Sequence, residues 1–243
     1  MQLSAAAIVL AVRGHGEHGA IVRALTHADG VQPGYVRGGN SRRLRPLLQP
    51  GDTILGEWRA RTSDQLPGLT IEPIHSRAAL HGEPLAAAAI DWTTALTAVA
   101  LPEAQAYPHI HDGLMGVLDA IEAAPAARGW AVALVRYELL LLAELGFGLD
   151  LTGCVVTGSD AGLAYVSPRS GRAVSRGAAT GHEHKLFALP DFLRIGGEAA
   201  WSDIFAGLDI TGHFLERDIL NDRRADPLAA RARLVDRLKR AVA

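Results

Sequence analysis

The chain has 243 residues, 49% of them hydrophobic, and a formal net charge of −2. That apolar content supports a sizeable core and excludes global disorder, and the near-neutral balance excludes a uniformly basic nucleic-acid binder, so any such function must rest on local charge. The single cysteine, Cys154, excludes an internal disulfide framework and suits a reducing cytosol.

The first apolar run is Ala5–Val12. No basic residue precedes it and Arg13 ends it. It therefore reads as a strand and not as a signal peptide, and it falls far short of the roughly 20 residues of a membrane span. The stretch RGHGEHGAIV follows, with glycines at 14, 16 and 19. Gly-x-Gly-x-x-Gly is the spacing of a dinucleotide-binding turn. That function also needs a helix starting at the glycines and an acidic residue about 20 positions on to hold the ribose. Gly30–Asn40 contains no Asp or Glu. The run after Gly19 is also short for a βαβ crossover of a dozen or more residues. A β-turn is the better reading, and a nucleotide-dependent oxidoreductase using Gly14–Gly19 remains the alternative.

Further short β-compatible runs lie at Ala20–His27, Val31–Arg37, Asp52–Arg61 and Leu69–His75, separated by Gly- and Pro-rich turns. Five such runs fit a small antiparallel barrel of the OB type. Within them, YVRGGNSRRLRPLLQPGDTILGEWRAR holds Arg37, Arg42, Arg43, Arg45, Arg59 and Arg61, opposed only by Asp52 and Glu57. Strand alternation places Tyr35 with Arg37 on one face, and Arg59 with Arg61 on one face of another strand. Guanidinium groups for phosphate and a ring for base stacking are what a single strand of nucleic acid needs. A solvated mixed-charge surface explains the same residues equally well.

After Ser76, Ala, Leu and Glu dominate. Helices are predicted at Leu85–Ala100, Pro108–Ala123 and Trp130–Leu145, with Pro102, Pro108 and Pro125 near their ends. The third is apolar almost all round, so it belongs inside a bundle. Arg136 interrupts it, and Glu138 lies about 200° away on the helix, so the two do not pair within it. Arg136 either pairs with another helix or waits at a pocket edge for an external carboxylate. From Leu151 to about Gly181 turn punctuation returns, and helical segments follow at Leu189–Ile195, Ile204–Leu220 and Pro227–Val242.

Enzyme chemistry finds little support. There is no Gly-x-Ser-x-Gly elbow. His109-Ile-His111-Asp112 and His182-Glu-His184 do not have a helical zinc spacing and read as surface histidines. Cys154 reads as a buried structural residue.

Three segments in order resemble the RecO family of bacterial DNA repair proteins: GEHGAIVRALTHADGVQPGYVRGGNSRRLRPLLQPGD (16–52), RYELLLLAELGFGLDLTGCVVTG (136–158) and YVSPRSGRAVS (165–175). The resemblance implies an α+β protein: an OB-fold barrel over 1–76, then a helical domain over 77–243 with a small zinc-finger-like β insert at about 151–181. It implies a cytoplasmic, non-enzymatic recombination mediator that binds single- and double-stranded DNA and anneals complementary strands. With RecR, such a protein helps load RecA onto strands covered by single-stranded DNA-binding protein (SSB). It places Tyr35, Arg37, Arg42, Arg43, Arg45, Arg59 and Arg61 in the DNA-binding barrel. It also places Arg136 in the domain that binds the SSB C-terminal tail. A protein-interaction scaffold without DNA binding is a further alternative. Zinc-bearing members carry paired Cys-x-x-Cys in the insert. Here the positions read Cys154, Thr157, Ser175 and Ala178, so neither zinc nor any other cofactor is expected.

Overall fold

The computed structural model describes residues 2–62, 65–123, 127–220 and 225–242. Five strands, β1 (Gln2–His15), β2 (Gly19–Thr26), β3 (Gly30–Val36), β4 (Thr53–Arg59) and β5 (Gly68–His75), close into a barrel in the order β1-β2-β3-β5-β4. This is the five-stranded OB-fold barrel expected from the turn spacing. β1 carries the closure. Its first half pairs with β4 and its second half with β2, and an irregularity between Val9 and Ala11 bends it from one partner to the other. A single parallel bridge, Tyr35 to Gly68, joins β3 to β5.

The barrel core follows from alternation. Ala7, Val9, Val22, Ala24, Ile54, Trp58 and Leu69 point inward and are buried. Trp58 dictates its surroundings. A Cβ at Gly56 would lie 2.3 Å from its ring, and one at Gly34 would lie 2.9 Å from its Nε1. Only glycine leaves room at either place.

Two compact units make up the chain: 1–125 with 229–237, and 126–228 with 238–243. The first unit holds the barrel together with α1 (Pro84–Ala100) and α2 (Pro108–Ala123). The composition change at Ser76 therefore marks the switch from strands to helices, and the compact unit runs past it. Arg77 fastens the two layers. Its side chain is almost fully buried and donates to the Gly51 carbonyl at 2.8 Å. It also forms ion pairs with Asp119 and, at 3.2 Å, Glu122, while its backbone N–H donates to Asp52 at 2.7 Å. A buried guanidinium needs that many acceptors to offset its desolvation.

The second unit contains α3 (Ala127–Glu144), a three-stranded sheet, and α5. The sheet is β6 (Leu163–Val166) flanked by β7 (Ala173–Ser175) and β8 (Phe187–Ala188); the short α4 (Arg176–Ala179) follows β7. α5 (Trp201–Phe214) continues into a π turn at Leu215–Ile219, and α6 (Ala225–Val242) ends the chain. α3 buries Trp130, Leu134, Tyr137 and Leu141. It packs closely on α5, where a Cβ at Gly207 would lie 2.9 Å from Val135.

Several sequence expectations are corrected here. The helix expected at Leu189–Ile195 is only a three-residue turn, Asp191–Leu193. Pro190 precedes it, and Gly196 and Gly197, with φ of +78° and +91°, end it. The insert sheet also reaches further than residue 181, because β8 pairs with β6 through Tyr165–Ala188 and Val166–Phe187. Pro125, expected at a helix boundary, lies outside the described residues. Among the described residues, no helix is long and apolar enough to cross a membrane.

Candidate functional site

The glycine-rich stretch at the start of the chain is the β1–β2 hairpin. His15 pairs with Gly19 and Gly14 with Ala20, and Gly16 turns the chain at φ +63°. β2, not a helix, follows the glycines, so no helix N-terminus stands ready for a pyrophosphate. That overturns the dinucleotide alternative. Gly19 serves the barrel surface instead: a Cβ there would come within 2.4 Å of the Tyr35 ring. The ring rests on this glycine and meets His15 edge-on at 6.0 Å.

Tyr35 and Arg59 belong to one row. Tyr35 pairs with Gly68, and Gly68 pairs with Arg59 on its other side. In-register neighbours share a face, and Gly34 and Trp58, one position away in each strand, face the core. Arg59 is tied to Glu57 at 2.9 Å. Arg37 and Arg61 lie just beyond the ends of β3 and β4, so strand alternation does not set their direction. This corrects their expected pairing with Tyr35 and Arg59. Both are exposed.

Arg42, Arg43 and Arg45 are exposed on the β3–β4 connection. That connection folds back on the first hairpin, with the Asn40 N–H donating to the His18 carbonyl at 3.0 Å. Between them is a cleft of about 320 Å³ with Arg45 on its wall beside Gly14, Ala20, Asn40 and Gln49. Among the described residues, no carboxylate pairs with Arg37, Arg42, Arg43 or Arg45. The β3–β4 connection thus presents four exposed guanidinium groups without a carboxylate partner among the described residues, of which Arg45 lines the cleft, and the Tyr35 ring stands on the strand that leads into it.

A second feature lies in the other unit. Arg136 is exposed and stands 6.0 Å from the centre of the Phe192 ring. It does not enter the core. The buried charge of α3 is Glu138, fully inaccessible and accepting a hydrogen bond from the Thr211 hydroxyl of α5. Arg136 instead edges an open groove of about 630 Å³ floored by Leu139, Leu140, Leu149 and Leu151. Arg194 and Ile195 also line it. Ile195 is 76% exposed, an uncommon display for so apolar a side chain. Arg194 is not legible as a groove residue in the sequence, because the pattern of 189–195 predicts a helix.

The insert keeps a knuckle without a zinc donor set. Cys154 Sγ accepts a hydrogen bond from the Ser175 N–H at 3.2 Å, and the Gly158 N–H closes the turn on the Cys154 carbonyl at 2.8 Å. Ser175 and Thr157 thus meet the sulfur through hydrogen bonds. One thiol and two hydroxyls do not fit a structural zinc ion, which takes four N or S ligands. His182 and His184 stand exposed at the turn Glu183–Lys185.

Comparison with known proteins covers almost the whole chain. Residues 1–77 match the family model for the recombination protein O N terminus, and residues 81–227 match that for its C terminus. A protein named DNA repair protein RecO from Cereibacter sphaeroides (strain ATCC 17029 / ATH 2.4.9) is 45% identical over 234 residues, 96% of each chain. Proteins of the same name from Caulobacter vibrioides (strain NA1000 / CB15N) and Phenylobacterium zucineum (strain HLK1) are each 45% identical. These alignments cover 97% and 99% of this chain and 96% and 99% of those relatives.

Proposed function

Because the chain belongs to the RecO family of DNA repair proteins, we propose that it binds single- and double-stranded DNA through the barrel and anneals complementary strands. On this reading, Arg37, Arg42, Arg43 and Arg45 meet backbone phosphates, Tyr35 and Arg59 extend the contact along the β3–β5–β4 row, and Arg61 adds a cation just beyond the end of β4. The single observation that carries it is the β3–β4 connection, whose four exposed arginines have no carboxylate partner among the described residues. Phosphate is the complementary charge, and stacking on a ring tolerates any base. The chemistry is binding and not bond cleavage. Two strands held along one charged surface lose much of their mutual repulsion and pair faster. With RecR, the protein then assists RecA in replacing SSB.

The groove at Arg136 is the proposed seat of the SSB C-terminal tail. Its leucine floor takes apolar side chains, and two guanidinium groups, Arg136 and Arg194, face the tail's carboxylates in charge-assisted pairs.

Titration of labelled oligonucleotides at several salt concentrations tests the barrel. Reversing Arg42, Arg43 and Arg45 to Glu removes three exposed cations. Each lost phosphate contact flattens the log–log salt slope by about 0.7 for single strands and 0.9 for duplex. The triple variant should therefore lose affinity, lose annealing, and show a slope shallower by about 2 to 3. Unchanged affinity and slope in a folded variant would remove the cleft from the DNA site. Absence of any DNA binding by the parent protein would leave the scaffold reading.

A further inference from the structure

The fold brings together three side chains that sequence spacing keeps apart. His27 sits in the turn after β2, while His111 and Asp112 lie in the first turns of α2. His111 Nδ1 is 3.1 Å from Asp112 Oδ1, and His27 Nε2 is 3.7 Å from the same oxygen. One donor atom from each residue fits within 4.8 Å of the others. The two imidazoles meet edge-on at 5.2 Å. Three ligands around a tetrahedral zinc ion, each about 2.0–2.1 Å from the metal, stand roughly 3.3 Å from one another. The two measured separations bracket that value.

The segments that carry these donors are pinned together by contacts that do not involve the donors. The Ala104 N–H donates to the Val31 carbonyl at 3.0 Å, and Val31 bridges Glu103. Gly30 is pressed so close to the loop before α2 that a Cβ would lie 1.9 Å from the Gln105 carbonyl oxygen. Ala104 itself holds φ +56°, a conformation that costs a non-glycine residue energy and persists only where its surroundings enforce it. The His27 turn is fixed as well, because the Thr26 hydroxyl donates to the Gly30 carbonyl at 3.1 Å and accepts from the Asp29 N–H at 3.0 Å. The backbone segments that carry the donors are thus held together before any ligand arrives, which spares a ligand the cost of bringing them near.

We propose that His27, His111 and Asp112 form a binding site for a first-row divalent transition metal, of which zinc is the type. Two imidazoles and one carboxylate suit such an ion, whereas calcium and magnesium prefer all-oxygen shells. The side chains of His27 and Asp112 are exposed by 55% and 65%, so solvent or a further ligand completes the coordination. Bound metal links the tip of the β2–β3 hairpin to the start of α2 within one compact unit. The histidine pair at 109 and 111, unsuited to a helical zinc motif on its own, contributes one ligand only because His27 comes from another element.

The test uses the full chain, stripped with a chelator and dialysed. Zinc chloride is titrated calorimetrically, and cobalt chloride is followed by its visible absorption. The expected result is one high-affinity equivalent per chain, weakened roughly tenfold or more in His27→Ala and in His111→Ala, with circular dichroism showing both folded. A His182→Ala/His184→Ala double variant should keep full affinity. Asp112→Asn, which retains shape and loses charge, should weaken binding in the same direction. Absence of a one-equivalent site overturns the proposal. So does a site that survives in both His27→Ala and His111→Ala, or one that disappears in the His182/His184 variant.

Discussion

Cys154 shows how one side chain holds a turn closed through hydrogen bonds. Hydrogen bonds from Ser175 and Thr157 favour the thiolate and draw the thiol from 9.0 down to about 6. A group whose pKa is lower in the folded state than in the unfolded one adds stability that is complete above the unfolded value and is lost as pH falls through the folded one. The thermal midpoint should therefore rise between pH 6 and pH 9 in the parent protein relative to Cys154→Ser, which has nothing to ionise there. Parallel profiles for the two proteins across that window would show that the thiol does not titrate in it. At the same scale, Arg136 and Glu138 were both visible as charges on an apolar helix. Which one faces the core was not, since either face of the helix satisfies the local pattern.

At the scale of elements, the hairpins decide where chemistry can sit. The β1–β2 hairpin holds Gly19 under Tyr35, and the β2–β3 hairpin holds Gly30 against the loop that leads into α2. Gly30 combines φ +70° with a backbone neighbour that cannot retreat. An alanine there strains the left-handed turn and also collides with Gln105, and the strained conformation alone costs about 1–3 kcal/mol. Gly30→Ala should thus lower the unfolding free energy by at least that amount, read as a lower urea midpoint with an unchanged denaturant slope. Gly16→Ala, also left-handed but with nothing within 4 Å, should cost less. Equal losses at the two positions would mean that the contact with Gln105 carries no weight. The strands themselves were legible because Gly and Pro punctuate the turns between them, whereas their ends, as at Arg37 and Arg61, were not. The three-residue turn at Asp191–Leu193 was not, because Phe192 is buried for tertiary reasons that mimic a helical pattern.

For the molecule as a whole, the two candidate surfaces lie in different compact units: Arg42, Arg43 and Arg45 in the first and Arg136 in the second. Sites without shared partners respond independently to substitution. Arg136→Ala should weaken binding of an SSB-tail peptide by tens-fold or more, since removing one partner of a buried interfacial charge pair costs about 2–5 kcal/mol. Its DNA affinity should match the parent's. The Arg42/Arg43/Arg45→Glu variant should show the reverse pattern. Peptide binding measured by anisotropy beside DNA titration reads both. Unaltered peptide affinity in a folded Arg136→Ala protein would exclude that arginine from the tail site.

The sequence by itself determined the five strands of the barrel, the helices at 84–100 and 108–123, the hairpin nature of the glycine stretch, and the family. These rest on local rules: apolar period, turn chemistry, and motifs contiguous along the chain. Only the tertiary structure decided that Arg136 stands outside while Glu138 lies buried against Thr211. It alone showed that Arg194 and Arg136 line one groove, that buried Arg77 binds the barrel to α2, and that His27 meets His111 and Asp112. Each of these pairs residues from elements distant in sequence. Closing such loops is set by packing of the whole chain, which no local pattern encodes.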